Sequence, residues 1–268
     1  MLKQDHHMKL KTIPLGAFTV AFLISGLSAS NLANPATLIP VARIALGGSY
    51  ELGGYTITND SVPCMMNRFQ GSLTYAPFSF LNFGIDAGAS QMDVAGDTTA
   101  KAIGIFHGDY GFSGGAHFVL GTPFFYNELF RVICIGKATI FSSQNNEGAA
   151  YGGKDGAGAI GLQFHVHRFG YITVGPQVYL IEGENKSYTG IKQPYSNLNN
   201  VRGWVAIDFF PPDKLMSSNK FFISLEMSLS PKARFNKRVP VQEIGFSISF
   251  GSITKRLYGV ASDVEWSP

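Results

Sequence analysis

Glu243-Ile244-Gly245-Phe246-Ser247-Ile248-Ser249-Phe250 alternates without a break between apolar and small or polar side chains. Successive side chains of an extended strand leave opposite faces, so Ile244, Phe246, Ile248 and Phe250 share one face and Glu243, Gly245, Ser247 and Ser249 the other. The segment before it repeats the code, with Phe221, Ile223, Leu225, Met227 and Leu229 set against Ser224, Glu226, Ser228 and Ser230. A strand that is large and apolar on one face and small, polar or charged on the other suits a wall with hydrocarbon outside and a polar interior.

Further strands follow upstream. Val201, Val205, Ile207 and Phe209 oppose Arg202, Trp204, Ala206 and Asp208; Ile172, Val174, Val178 and Leu180 oppose Thr173, Gly175, Gln177 and Tyr179; Ile160, Leu162, Phe164 and Val166 oppose Gly161, Gln163, His165 and His167. Phe106, Tyr110, Phe112, Ala116, Phe118 and Leu120 oppose His107, Asp109, Gly111, Ser113, Gly115, His117 and Val119. Three more alternating runs lie near 81–90, 68–75 and 42–50. Between Phe130 and Ile140 the code blurs, because Ile133 and Ile135 share parity with Arg131 and Lys137. The pattern predicts an all-β fold, a closed antiparallel transmembrane β-barrel of about ten strands over residues 38–251. Shorter links at 76–78, 122–127, 168–170 and 211–219 alternate with longer polar ones at about 53–67, 91–105, 143–154, 183–199 and 231–239. Short periplasmic turns and longer extracellular loops are the rule in such barrels, so both termini are expected in the periplasm.

Composition agrees. Charged residues make up 15% of the chain and hydrophobic ones 45%, yet no apolar run approaches the roughly 20 residues of a membrane helix. At the N-terminus, Met8-Lys9-Leu10-Lys11, the apolar stretch Ile13 to Leu27 and the small residues Ser28-Ala29-Ser30 form the charge, apolar run and cleavage order of a secretory signal peptide, assigned to 1–33. Asp5 and two histidines dilute the charge before Met8, which offers a second start for translation. The mature chain is expected to begin between Asn31 and Thr37, and 252–268 is read as a short periplasmic tail. Lys3, Lys9 and Lys11 against Asp5 carry most of the +3 net charge, which leaves no reason to expect nucleic acid as a partner. Cys64, placed in a loop, and Cys134, placed facing lipid, are expected to be free.

With these strands in view, the chain resembles the small outer-membrane barrel family of OmpA/OmpX type over roughly residues 38 to 251. The local match is the segment Glu243 to Phe250, which looks like the family's C-terminal insertion signal. The resemblance implies residence in the cell outer membrane, contact with outer-membrane lipids and recognition by the barrel-assembly machinery during insertion. The tail beyond Gly251 departs from the many members that end on the terminal aromatic.

Candidate functional residues are those turned inward. Arg43, Arg68, Asp86, Asp109, Arg131, Lys137, Arg202, Asp208, Glu226 and Glu243 are expected to form a charge-paired network in the lumen, since buried charge must be paired or hydrated. His117, His165 and His167 are expected together at the periplasmic end, without a companion carboxylate or cysteine that would make a metal site. His107 and Asp109 near the outer rim have no paired nucleophile, so no catalytic residue and no cofactor is expected. Tyr188, Tyr195, Asn197, Asn199 and Asn200 suit an exposed loop that could meet a surface ligand or glycan. The expected role is therefore structural or surface-interacting and not enzymatic. The alternatives are a narrow pore or transporter for small solutes and, after it, an outer-membrane hydrolase.

Overall fold

A computed structural model describes residues 32, 36–57, 62–95, 106–126, 128–167, 170–187, 189–197, 200–210, 220–234 and 242–254. Most of the expected leader and the tail beyond 254 lie outside these residues. The described chain is all β. Its strands are β1 (Ile44–Ile57), β2 (Val62–Phe78), β3 (Leu81–Val94), the short β4 (Phe106–His107), β5 (Asp109–Gly121), β6 (Phe130–Gln144), β7 (Ala150–His167), β8 (Gly170–Lys186), the short β9 (Lys192–Ser196), β10 (Val201–Phe209), β11 (Lys220–Arg234) and β12 (Gln242–Ile253). β4 and β9 are edge pieces on β3 and β8. The other ten form one antiparallel wall, closed on one side by β12 against β1 and on the other by β8 against β10.

Following paired residues once round this wall returns to β1 about 12 residues from the start, a stagger that tilts the strands by roughly 40°. We call the end where β1 begins and β12 finishes the near end, and the opposite one the far end.

The wall is inside-out relative to a soluble barrel. Ile85, Ile160 and Phe250 are 61%, 60% and 63% exposed on its outer face, while Arg68, Arg202 and Glu226 on the inner face are 2%, 2% and 1% exposed. The alternation read from the sequence thus sets the faces, and β6 joins it. Arg131, Ile133, Ile135, Lys137 and Thr139 all point inward, two isoleucines among polar neighbours. They meet a segment that is not part of the wall. Leu32 and Ala36, both 0% exposed, pack inside the barrel with Val119, Ile133, Ile135, Ala159, Trp204 and Ala206. Ile39 packs with Ala45, Ala76, Phe222 and Ile253. The folded unit therefore includes Leu32, inside the span 1–33 assigned to the leader, and starts before residue 38.

Several expectations need correction. The pairing of β3 with β5 and with β4 differs by one residue, and β5 against β6 shifts between Tyr110 and Ser113. The alternation breaks here: Tyr110 stays on the outer face, but Phe106 turns inward and is buried, His107 outward, and Asp109 is exposed rather than in the lumen. At the far end, the connections expected at 53–67 and 143–154 are mostly strand, since β1 and β2 run to Ile57 and from Val62, and β6 and β7 to Gln144 and from Ala150. Glycine-rich sequence such as Gly152-Gly153 reads as loop but pairs across to β6 and β8. Cys64 consequently lies in β2, buried, while Cys134 is partly exposed and both are free. Ile244 is buried rather than exposed. The backbone of Glu243 next to it has φ 60, which interrupts the extended geometry that alternation requires.

Candidate functional site

The inner face is organised in three levels. At the far end, Tyr55, Ile57, Val62, Met66, Met92, Val94, Phe106, Phe141, Tyr151, Tyr179, Ile181 and Tyr195 form one buried cluster. Tyr55 stacks on Tyr179 at 4.6 Å between centroids, and the guanidinium of Arg202 lies 4.9 Å and 5.4 Å from these two rings. Arg202 donates to the carbonyl of Gly54 at 2.9 Å and meets Glu243 at 3.4 Å, so the cap is pinned to both β1 and β12.

Beneath the cap is an ionic layer. Arg68 bridges Glu51 at 3.3 Å and Asp155 at 2.6 Å, and Lys137 reaches the other oxygen of Glu51 at 2.6 Å and Gln70 at 2.7 Å. Tyr179 donates to Asp155 at 3.0 Å, which ties this layer to the cap. Beside it His117 sits with Nδ1 2.8 Å from Asp86 and Nε2 2.9 Å from the Thr74 hydroxyl. With all of these groups almost fully buried, geometry of this quality is what lets paired charges persist in low dielectric.

The near end is filled differently. Gln163 donates to the hydroxyls of Thr37 and Thr173 and accepts from Arg131 Nε at 2.7 Å. Arg131 lies 4.6 Å from the centre of the Phe124 ring, a cation–π contact. Asp208 lies beside Ser224, Thr37 and the backbone of Ala36 with no hydrogen bond of normal geometry to its carboxylate. The Leu32 backbone N–H donates to Glu226 at 3.0 Å.

The structure places Arg68, Asp86, Arg131, Lys137, Arg202, Asp208, Glu226 and Glu243 buried on the inner face of the wall. Arg43 is half-buried at the near rim, before β1, and Asp109 is outside. Two members of the ionic layer escaped the sequence reading. Glu51 and Asp155 stand beside glycine pairs taken for loop, and their inward parity within β1 and β7 was the available signal. The histidines do not converge. His117 is in the ionic layer, His165 stacks on Tyr171 at 5.0 Å, and the side chain of His167 lies outside the described residues. His107 pairs with Asp93 at 2.6 Å on the exposed face, not with Asp109. Tyr195 is buried in the far-end cap rather than displayed in a loop, Asn197 is buried and bonded to β8, and Tyr188 and Asn199 lie outside the described residues.

What the wall and lumen define is the class: a ten-stranded antiparallel barrel of outer-membrane type. No family model and no curated protein matches the chain. Among solved structures it is similar to the crystal structure of an outer membrane channel from Pseudomonas putida F1, at 9% identity and a TM-score of 0.42, covering 81% of this chain and 96% of that one.

Proposed function

We propose that this barrel sits in the outer membrane with its near end in the periplasm and serves as a narrow, gated pathway for small polar solutes, closed in the conformation described. The apolar outer face supports the membrane location, because such a surface is stable only against hydrocarbon. One observation carries the choice of a pathway over a structural or surface-interaction role. The near end of the lumen is filled by Leu32 and by Ala36 to Ile39, chain outside the wall, packed against wall side chains that include Ile133, Ile135 and Trp204. Ten strands enclose more space than the eight-stranded size that side chains can fill, so removal of this plug exposes a passage lined by the ionic layer. The far-end tyrosines then form the second constriction.

Planar-bilayer recording tests this. The intact protein is expected to show rare, small openings. A variant lacking residues 32–39 should conduct more often, and the same variant with Tyr55→Ala and Tyr179→Ala should conduct steadily, with an ion preference that changes on Lys137→Gln. Three silent proteins that are folded in the bilayer would remove the pathway and return the barrel to a structural or surface role.

A further inference from the structure

Glu226 and Asp208 are neighbours in the charge balance of the lumen but stand apart from its ion pairs. Among the described residues the buried acidic side chains are Glu51, Asp86, Asp155, Asp208, Glu226 and Glu243, and the buried basic ones are Arg68, Arg131, Lys137 and Arg202, with His117 against Asp86. The acids outnumber the bases even when His117 is counted as a cation. Neither Glu226 nor Asp208 is in an ion pair, and one oxygen of Glu226 has no hydrogen-bond partner. A buried carboxylate in that position calls for a cation. The group that reaches it is main chain: the nitrogen of Leu32, 3.0 Å from Glu226 Oε2, in a residue that is itself fully buried.

We infer that the missing cation is the α-ammonium created when the leader is removed, and that the mature chain begins at Asn31 or Leu32. Hydrolysis of the peptide bond before that residue adds water across it, leaving the carboxylate on the departing leader and an ammonium on the mature chain. The ammonium then lies at or one residue from the nitrogen that already faces Glu226, with Asp208 on the adjacent strand β10. Processing thus adds a cation to a lumen in which acids outnumber bases, and the plug locks in place only after export. An unprocessed or extended chain would present a neutral amide there and would have to lead its continuation away from a closed interior. The inference rests on the reading of the chain as an exported outer-membrane barrel. It adds that its own N-terminus is the ligand of an internal acidic site.

The test uses the protein extracted from outer membranes. N-terminal sequencing should give Asn31 or Leu32 as the first residue, and a start at Ala33 or later would overturn the proposal, because Leu32 would then be absent. Acetylation by an amine-reactive reagent should be slower at the α-amine of the folded barrel than after denaturation by about tenfold or more, as for a group that reacts only on local opening. Equal rates overturn it. Chains refolded into phosphatidylcholine vesicles with the authentic N-terminus, or with a few extra residues before it, should differ in thermal midpoint, the extended chain being lower. Glu226→Gln should remove that difference, and an unchanged difference would sink the ion pair. If Glu226→Gln does not fold, the acetylation rates of the unaltered protein decide. Failure of every chain to enter vesicles would instead count against the membrane-barrel reading, which separates the two outcomes.

Discussion

Arg68 holds two carboxylates, Glu51 on the adjacent strand and Asp155 across the lumen, with a side chain that is 2% exposed. Its guanidinium offers several donors in a fixed plane and can serve both partners at once. Removing it leaves two buried negative charges with only Lys137, on Glu51, as an ionic partner among the described residues. Arg68→Ala is therefore expected to lower folding stability in bilayers by about 3–5 kcal/mol. Arg68→Lys should recover only part, since a single ammonium cannot span both positions. Arg43→Ala, at the half-buried rim, should cost no more than about 0.5–1 kcal/mol, as an ordinary change away from the network does. Urea unfolding of the three variants in phosphatidylcholine vesicles gives the ranking, and an Arg43 effect as large as that of Arg68 would contradict the placement of the ionic layer.

At the scale of the strand, two features can be checked. Leu225 and Ser224 are consecutive in β11, one turned outward and the other buried next to Asp208. Leu225→Arg places a charge against hydrocarbon and should cost about 2–4 kcal/mol near the bilayer midplane. Ser224→Arg meets a carboxylate and should cost less. The opposite order in equilibrium unfolding would mean a one-residue slip of the strand. The second feature is the bulge in β5. Cysteine at His107 should react with a water-soluble maleimide in the folded protein, and cysteine at Phe106 should be protected in the far-end cluster. Reaction at Phe106 and protection at His107 would restore an unbroken alternation and eliminate the bulge.

The whole molecule has a polarity that labelling can fix. The far-end hairpin between β8 and β9 carries the exposed Thr189, and the near-end turn between β5 and β6 carries Tyr126, 80% exposed. Thr189→Cys should label on intact cells. Tyr126→Cys should label only after the outer membrane is opened, and the reverse result would invert the barrel. The near end would then face outward, and the plug with it.

How much of this was legible depends on distance along the chain. Alternation is a local property, because adjacent side chains of a strand must take opposite faces. Residues as far apart as Ala45 and Ser249 could therefore be assigned to the lumen from their neighbours alone, and the even strand count came with them. The polar character of Arg68, Lys137 and Glu226 placed them inside for the same reason. The bulge before Ser113 was not legible, since an extra residue leaves the composition unchanged and shows only in the pairing of β5 with β3 and β6. Nor was the pairing of Arg68 with Asp155, 87 residues away, which is set by the stagger of the closed wall. Ile133 and Ile135 looked like errors in the pattern. Their inward direction makes sense only when Leu32 and Ala36 to Leu38 pack against them at the near end, and that contact joins parts of the chain about a hundred residues apart, where only the closed tertiary structure brings one apolar surface to another.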